Sequence, residues 1–153
     1  MPVTTEYNEG PFMELNPLAT LDLVQPPDLD TGPIVVLNLL KFKSPESISL
    51  YLEYVRKVSE RCANSGVELL YAGALKEQIQ GDIGDWDIVL LARYPSRRAC
   101  YEMFRSETYQ QCHPLAEEAL ARRVLWPCEP VLPYKTQTVD FKGGEWLALL
   151  QAP

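Results

Sequence analysis

The run IVVLNLLKF, residues 34–42, is apolar at both odd and even positions. Successive side chains of a strand point to opposite faces, so such a run needs cover on both sides. Its β-branched content and its short length between Thr31-Gly32-Pro33 and Ser44-Pro45 mark it as a strand rather than a buried helix. Whatever this chain folds into must therefore place material above and below one sheet.

The period changes after Ser44-Pro45-Glu46. Ile48, Leu52, Val55, Val58 and Cys62 recur at helical spacing, with Glu53, Arg56, Lys57 and Glu60 on the opposite side. This predicts a helix over about 46–65, with Gly66 as its C-terminal cap. VELLYAGALKEQI (67–79) and WDIVLLARY (86–94) read as two strands joined through GDIG as a hairpin connection. Pro95-Ser96 opens a second helix with Cys100, Met103 and Phe104 as its buried stripe. A further helical piece runs to about Arg123, and VLWPC (124–128) is the last compact strand. The order β-α-β-β-α-β is an α+β, ferredoxin-like arrangement with helices on one face of the sheet.

Outside that unit lie a proline-rich arm, 1–33, with a short helix opening at Asn16-Pro17, and an extended tail, 129–153. In the tail EWLALLQ (145–151) could add a strand. Helices on one face leave the other bare, yet residues 34–42 and 88–91 are apolar there too. Soluble monomers do not expose so much apolar sheet, so a homodimer joined through that face is expected.

The 153-residue length suits one domain. A net charge of −7 disfavours nucleic acid and anionic membrane surfaces, and no apolar run is long enough to span a bilayer. The opening residues lack a secretory layout, and Cys62, Cys100, Cys112 and Cys128 form no CxxC pair. Reduced thiols and a cytoplasmic location are expected.

GPIVVLNLLKFK, ELLYAG, WDIVLLARYPSRRACYEMF and SETYQQCHPLAEEALARRVLWPC together resemble the dimeric α/β-barrel superfamily, and within it the group called domain of unknown function 1330. The likeness covers about residues 32–128. It implies two sheets packed into one barrel, with a pocket in each subunit between sheet and helices. The superfamily includes cofactor-free monooxygenases, isomerases, polyketide cyclases and some haem enzymes, so the fold alone selects no reaction.

His113, the single histidine, precedes Pro114. A residue before proline is pushed out of the helical region, and proline is favoured at a helix's first position. His113 is therefore expected at an N-cap, where the helix dipole keeps the ring neutral and basic; a turn or dimer-rim role is the plainer alternative. Asn38 interrupts the apolar strand and either orients a ligand carbonyl or bonds nearby backbone. Lys41 points to the other face as a snorkelling group. Arg93 could grip a substrate carboxylate or pair with an acid of the partner subunit. Tyr54, Tyr71, Tyr101 and Tyr109 could line an apolar pocket, Tyr71 and Tyr101 facing the same cavity, while Trp126 is core or ligand platform.

These residues suggest cofactor-free acid–base chemistry on a small carbonyl or polyketide-like substrate: an isomerisation, cyclisation or dehydration. His113 would remove the proton, and Asn38, Arg93 or a tyrosine would hold the oxyanion. A cofactor-independent monooxygenase and a non-catalytic ligand-binding homodimer are the rivals. No metal set is visible, and haem could enter only through His113.

Overall fold

In a computed structural model the fold is described for residues 21–25, 32–63 and 65–130. The start of the arm's short helix and the expected strand at 145–151 lie outside them; within them, Leu21 and Asp22 are helical and Leu23 is buried. Four strands form one antiparallel sheet in the order β2-β3-β1-β4: β1 Ile34–Phe42, β2 Glu68–Ala74, β3 Ile88–Tyr94 and β4 Leu120–Cys128. The helices are α1 Ile48–Cys62, α2 Arg97–Arg105 and α3 Glu107–Ala119.

The two-sided strand sits at the centre, as its pattern requires. Ile34, Val36, Asn38 and Leu40 alternate as buried residues, while Val35, Leu37 and Leu39 on the reverse face are half-buried. Asn38 lies opposite Leu90 of β3 and Leu125 of β4. Tyr51 and Tyr54 of α1, Cys100, Met103 and Phe104 of α2, and Tyr109, Cys112, Ala116 and Ala119 of α3 complete the core. Among the described residues the reverse face has no such cover. Across it runs a row of opposed residues, Tyr71, Leu91, Leu37 and Trp126, one from each strand.

Four boundaries differ from the sequence expectation. The first turn of the first helix is a separate 3-10 turn at Pro45–Ser47, and α1 ends at Cys62. Gly66 is not the residue directly after the helix; it takes φ +82° in the following turn, with Pro95 against the place of a Cβ. Strand β2 stops at Ala74 instead of 79; one further bond, Leu75 N–H to Asp87 O at 2.8 Å, follows it, and Asp87 is also tied to the end of β1. Its N–H donates to Leu40 O, its carboxylate accepts from Phe42 N–H, and Lys41 Nζ bridges it to Asp85 at 3.2 and 2.8 Å. The connection is thus a long loop, closed on itself by Gln78, which donates to Gly84 O and accepts from Ile83 N–H.

The largest correction concerns His113. Ser106, not His113, caps the helix, its hydroxyl accepting from Tyr109 N–H at 3.1 Å, and α3 runs through Pro114 to Ala119. An interior proline removes one helical hydrogen bond and costs roughly 3 kcal/mol. The helix continues because Tyr109, Cys112, Ala116 and Ala119 fall on one side at helical spacing and are buried together, outweighing that cost. The backbone then turns extended at Leu120, so β4 begins four residues before the expected Val124.

Pro114 is exposed. Pro114→Ala restores an N–H for the Gln110 carbonyl, and the gain is partly offset by a more flexible unfolded chain. Urea denaturation should show the variant more stable by about 1–2 kcal/mol; equal or lower stability would mean α3 is bent to suit its proline.

Candidate functional site: an apolar cavity with a half-buried cation

Small residues Ala72 and Ala92 lie on the sheet beneath α1, and the helix leans on α3. The space left between α1 and the sheet is a cavity of about 570 Å³. Leu52 on α1 and Leu69 on β2, both lining it and both exposed, mark its mouth. Aliphatic side chains make up most of the wall, which is the usual make-up of a small-molecule pocket.

The cationic exception is Arg123. In β4, Lys41 pairs with Arg122 but Phe42 pairs with Leu120, so Ala121 is an extra residue in a β-bulge. The bulge keeps both Leu120 and Arg123 on the helix side of the sheet. Arg122 turns to the other side, where its guanidinium lies 4.5 Å over the Trp86 ring.

Arg123 is held by neutral oxygens. Nη1 donates to the hydroxyls of Tyr54 at 3.3 Å and Tyr109 at 3.5 Å; Nη2 donates to Tyr54 at 3.3 Å and to Asn38 Oδ1 at 3.5 Å. These are long for N–H···O bonds, whose usual length is about 2.9–3.0 Å. The guanidinium also sits 5.4 Å from the Tyr54 ring centroid. Its Nε is buried without a hydrogen-bond partner, and no carboxylate pairs with it among the described residues. Burial alone would lower its pKa, but the phenol oxygens of Tyr54, Tyr109 and Tyr51 more than offset this, so the group stays charged.

The phenols keep their protons. Burial pushes Tyr51 up to about 12, against the pull of the Arg123 charge, and pushes Tyr109 and Tyr94 well above the ordinary tyrosine value. The Tyr54 and Tyr109 hydroxyls that accept from Arg123 also bond to each other. Burial likewise raises the Cys62 thiol on the cavity wall, keeping it from being a thiolate nucleophile. The lining therefore supplies one cation and several weak acids.

The sequence candidates divide sharply around this centre. Asn38, Tyr54 and Tyr109 line the cavity. Asn38 makes the backbone bond of the plainer reading, its Nδ2 donating to Val36 O at 3.1 Å, and its oxygen accepts from Arg123 Nη2. Tyr71 and Trp126, by contrast, lie on the uncovered face, 53 % and 67 % exposed. The Tyr71 ring folds over Gly73, so it shares no cavity with Tyr101. Tyr101 accepts from Arg105 Nη1 at 2.6 Å on α2 and does not line the cavity. Arg93 lies on the uncovered face, 3.5 Å from Glu68 of its own chain. His113 is also outside the lining: Nε2 contacts Glu117 at 3.0 Å, Nδ1 is buried without a hydrogen-bond partner, and the ring packs 5.7 Å from Tyr109. Among the described residues no group of three His, Cys, Asp or Glu side chains could hold a metal ion, and no helix is long and apolar enough to cross a membrane.

Fold and cavity together define a ferredoxin-like α+β protein with a pocket between its sheet and first helix. The chain belongs to the family described as domain of unknown function (DUF1330), whose model matches residues 35–126. No curated protein matches it. Among solved structures it is similar to a protein of unknown function from Rhodopseudomonas palustris, at 23 % identity and TM-score 0.68, covering 79 % of this chain and 98 % of that one. A putative antibiotic biosynthesis monooxygenase from Bacteroides thetaiotaomicron is 20 % identical with TM-score 0.52, covering 69 % and 95 %. A DABB family protein with a ferredoxin-like fold from Mesorhizobium loti is 14 % identical with TM-score 0.52, covering 66 % and 99 %. At these identities the likeness concerns the fold.

The raised phenol pKa values have a thermodynamic consequence. Above pH 10, the ordinary tyrosine value, the unfolded chain gives up phenol protons that the folded chain retains. Stability is therefore full below pH 10 and declines as pH rises from there toward 12 and beyond, by up to about 1.4 kcal/mol per pH unit for each such tyrosine. Urea titrations between pH 8 and 11 should show that decline, and Tyr51→Phe should weaken it.

Proposed function

We propose that this chain is a cofactor-free small-molecule enzyme. Its pocket receives an apolar carbonyl compound and holds the oxygen that carries or gains negative charge. Arg123 supplies the countercharge, and Tyr54 and Tyr109 supply hydrogen bonds and protons. Such a site stabilises an enolate whose carbon-bound proton passes to solvent water and returns from it, the common core of isomerisation, cyclisation and dehydration. One observation carries the reading: a charged guanidinium at an otherwise apolar wall, loosely held by two phenols and an amide and by no described carboxylate.

In this reading His113 packs against Tyr109 and does not remove the substrate proton, since it is absent from the cavity lining. Solvent-to-carbon exchange on 1-phenyl-1,3-butanedione in D₂O, followed by NMR, tests the assignment. Loss of one oxyanion donor costs about 10²–10³ in kcat. Arg123→Met should show a loss of that size and His113→Ala a change of only a few-fold. Wild-type exchange in the Arg123 variant would remove the proposal's basis.

The lining also favours a second reading. It contains no imidazole, and Glu68, the acid on its rim, pairs with Arg93, so a general base is lacking among the described residues. A phenolic substrate that ionises readily and then reduces oxygen itself needs no such base. Oxygen uptake dependent on the phenol would establish that cofactor-independent monooxygenase chemistry.

The functional unit we propose is a homodimer closed over the row Tyr71, Leu91, Leu37 and Trp126. Its support is the apolar content of that face and the exposure of the two aromatic ends. Four unbridged thiols fit a reducing, cytoplasmic setting. Sedimentation at micromolar concentration should give twice the chain mass, and Trp126→Glu should shift it to one chain with an unchanged far-UV spectrum. A stable wild-type monomer would sink the assembly.

A further inference from the structure

The charges around the cavity specify its ligand more narrowly than the proposed chemistry requires. Arg123 is the one cationic side chain in the lining among the described residues. Its long bonds to Tyr54, Tyr109 and Asn38 leave it poorly satisfied, and its buried Nε has no partner. A planar carboxylate matches a guanidinium fork in shape and in charge, and can exchange these long bonds for short, charge-assisted ones. Tyr54 and Tyr109 also bond to each other, which leaves one phenol hydrogen for the carboxylate's other lone pairs or for a carbonyl oxygen beside it.

Dianionic and polyphosphate ligands fit worse. A phosphate monoester brings a second charge that no second lining cation meets, and a coenzyme thioester brings several more toward a protein of net charge −7. Beyond Arg123 the wall has a few polar side chains, Asn38, Ser59 and Glu68 among them, and is otherwise mostly groups such as Val36, Val58, Leu90 and Ala92, which suit an apolar body. At about 30 Å³ per non-hydrogen atom in a liquid-like filling, the 570 Å³ space holds on the order of twenty such atoms.

We infer that the ligand is a lipophilic monocarboxylic acid, bound as the free anion with its carboxylate on Arg123 and its apolar body toward the mouth between α1 and β2. The inference rests on the pocket being the ligand site, as proposed above, and it narrows the substrate from any apolar carbonyl compound to a free acid.

Isothermal titration of the full chain at neutral pH tests the inference with three probes of equal chain length: dodecanoate, 1-dodecanol and dodecyl phosphate. A charge-assisted bond predicts dodecanoate binding about tenfold or more tighter than either competitor. Arg123→Met should abolish that preference while leaving dodecanol affinity in place. Arg123→Lys, which keeps the charge and loses the fork, should retain a reduced preference and serves if the methionine variant does not fold. Equal affinity for dodecanol, tighter binding of the phosphate, or an undiminished carboxylate preference in Arg123→Met would overturn the ligand class and leave the pocket reading standing. Failure of all three probes to bind would overturn the pocket reading as well.

Discussion

An arginine facing the core side of a sheet must be compensated, because an isolated buried charge is very costly. The usual solution is a carboxylate beside it. Here the surroundings of Arg123 are two tyrosine hydroxyls, an asparagine oxygen and an aromatic face. The identity of the neighbouring residues follows from this arrangement. Asn38 occurs in an apolar strand because an acceptor is needed opposite β4, and Tyr54 and Tyr109 bring oxygens from two different helices to one point. A carboxylate in place of either tyrosine would neutralise the charge and stabilise the fold locally, but it would also compete with the anion proposed to bind there.

The sheet separates two tasks by face. On the helix side lie the core and the cavity. On the other side Arg93 meets Glu68, Arg122 covers Trp86, and the apolar row runs between them. The Ala121 bulge makes the separation possible: a strand of strict alternation through Phe42 would not have kept both Leu120 and Arg123 under the helices. The bonds among Lys41, Asp85 and Asp87 fasten the β2–β3 connection to the end of β1, beside this irregularity.

Much of the architecture was legible in the residues. Residues 34–42 announced a central strand, the helical recurrence of Ile48 to Cys62 marked α1, and Ser96 with Cys100, Met103 and Phe104 marked α2. Asn38, Tyr54 and Tyr109 were visible as polar exceptions or amphipathic groups on the correct elements. What misled was the local meaning of Pro114: a proline at 114 reads as a helix start, and only the buried spacing of Tyr109, Cys112 and Ala116 overrides it. That error carried the helix on to Arg123 and hid the cation. A signal was nevertheless present, since two adjacent arginines before VLW cannot both face solvent once they belong to a strand. The orientation of Tyr71 and Trp126 depends on pairing register, which no single segment encodes.

Arg123 meets Asn38 across 85 positions of sequence and Tyr54 across 69. A chain emerging from the ribosome makes its first strand and both phenol-bearing helices before the residue that draws them together. Until β4 arrives, one edge of the central strand is unpaired and the tyrosine oxygens have no cation. The cluster around Arg123 is thus completed only once β4 is made, and a chain truncated before β4 would keep most of the scaffold's residues without that cluster.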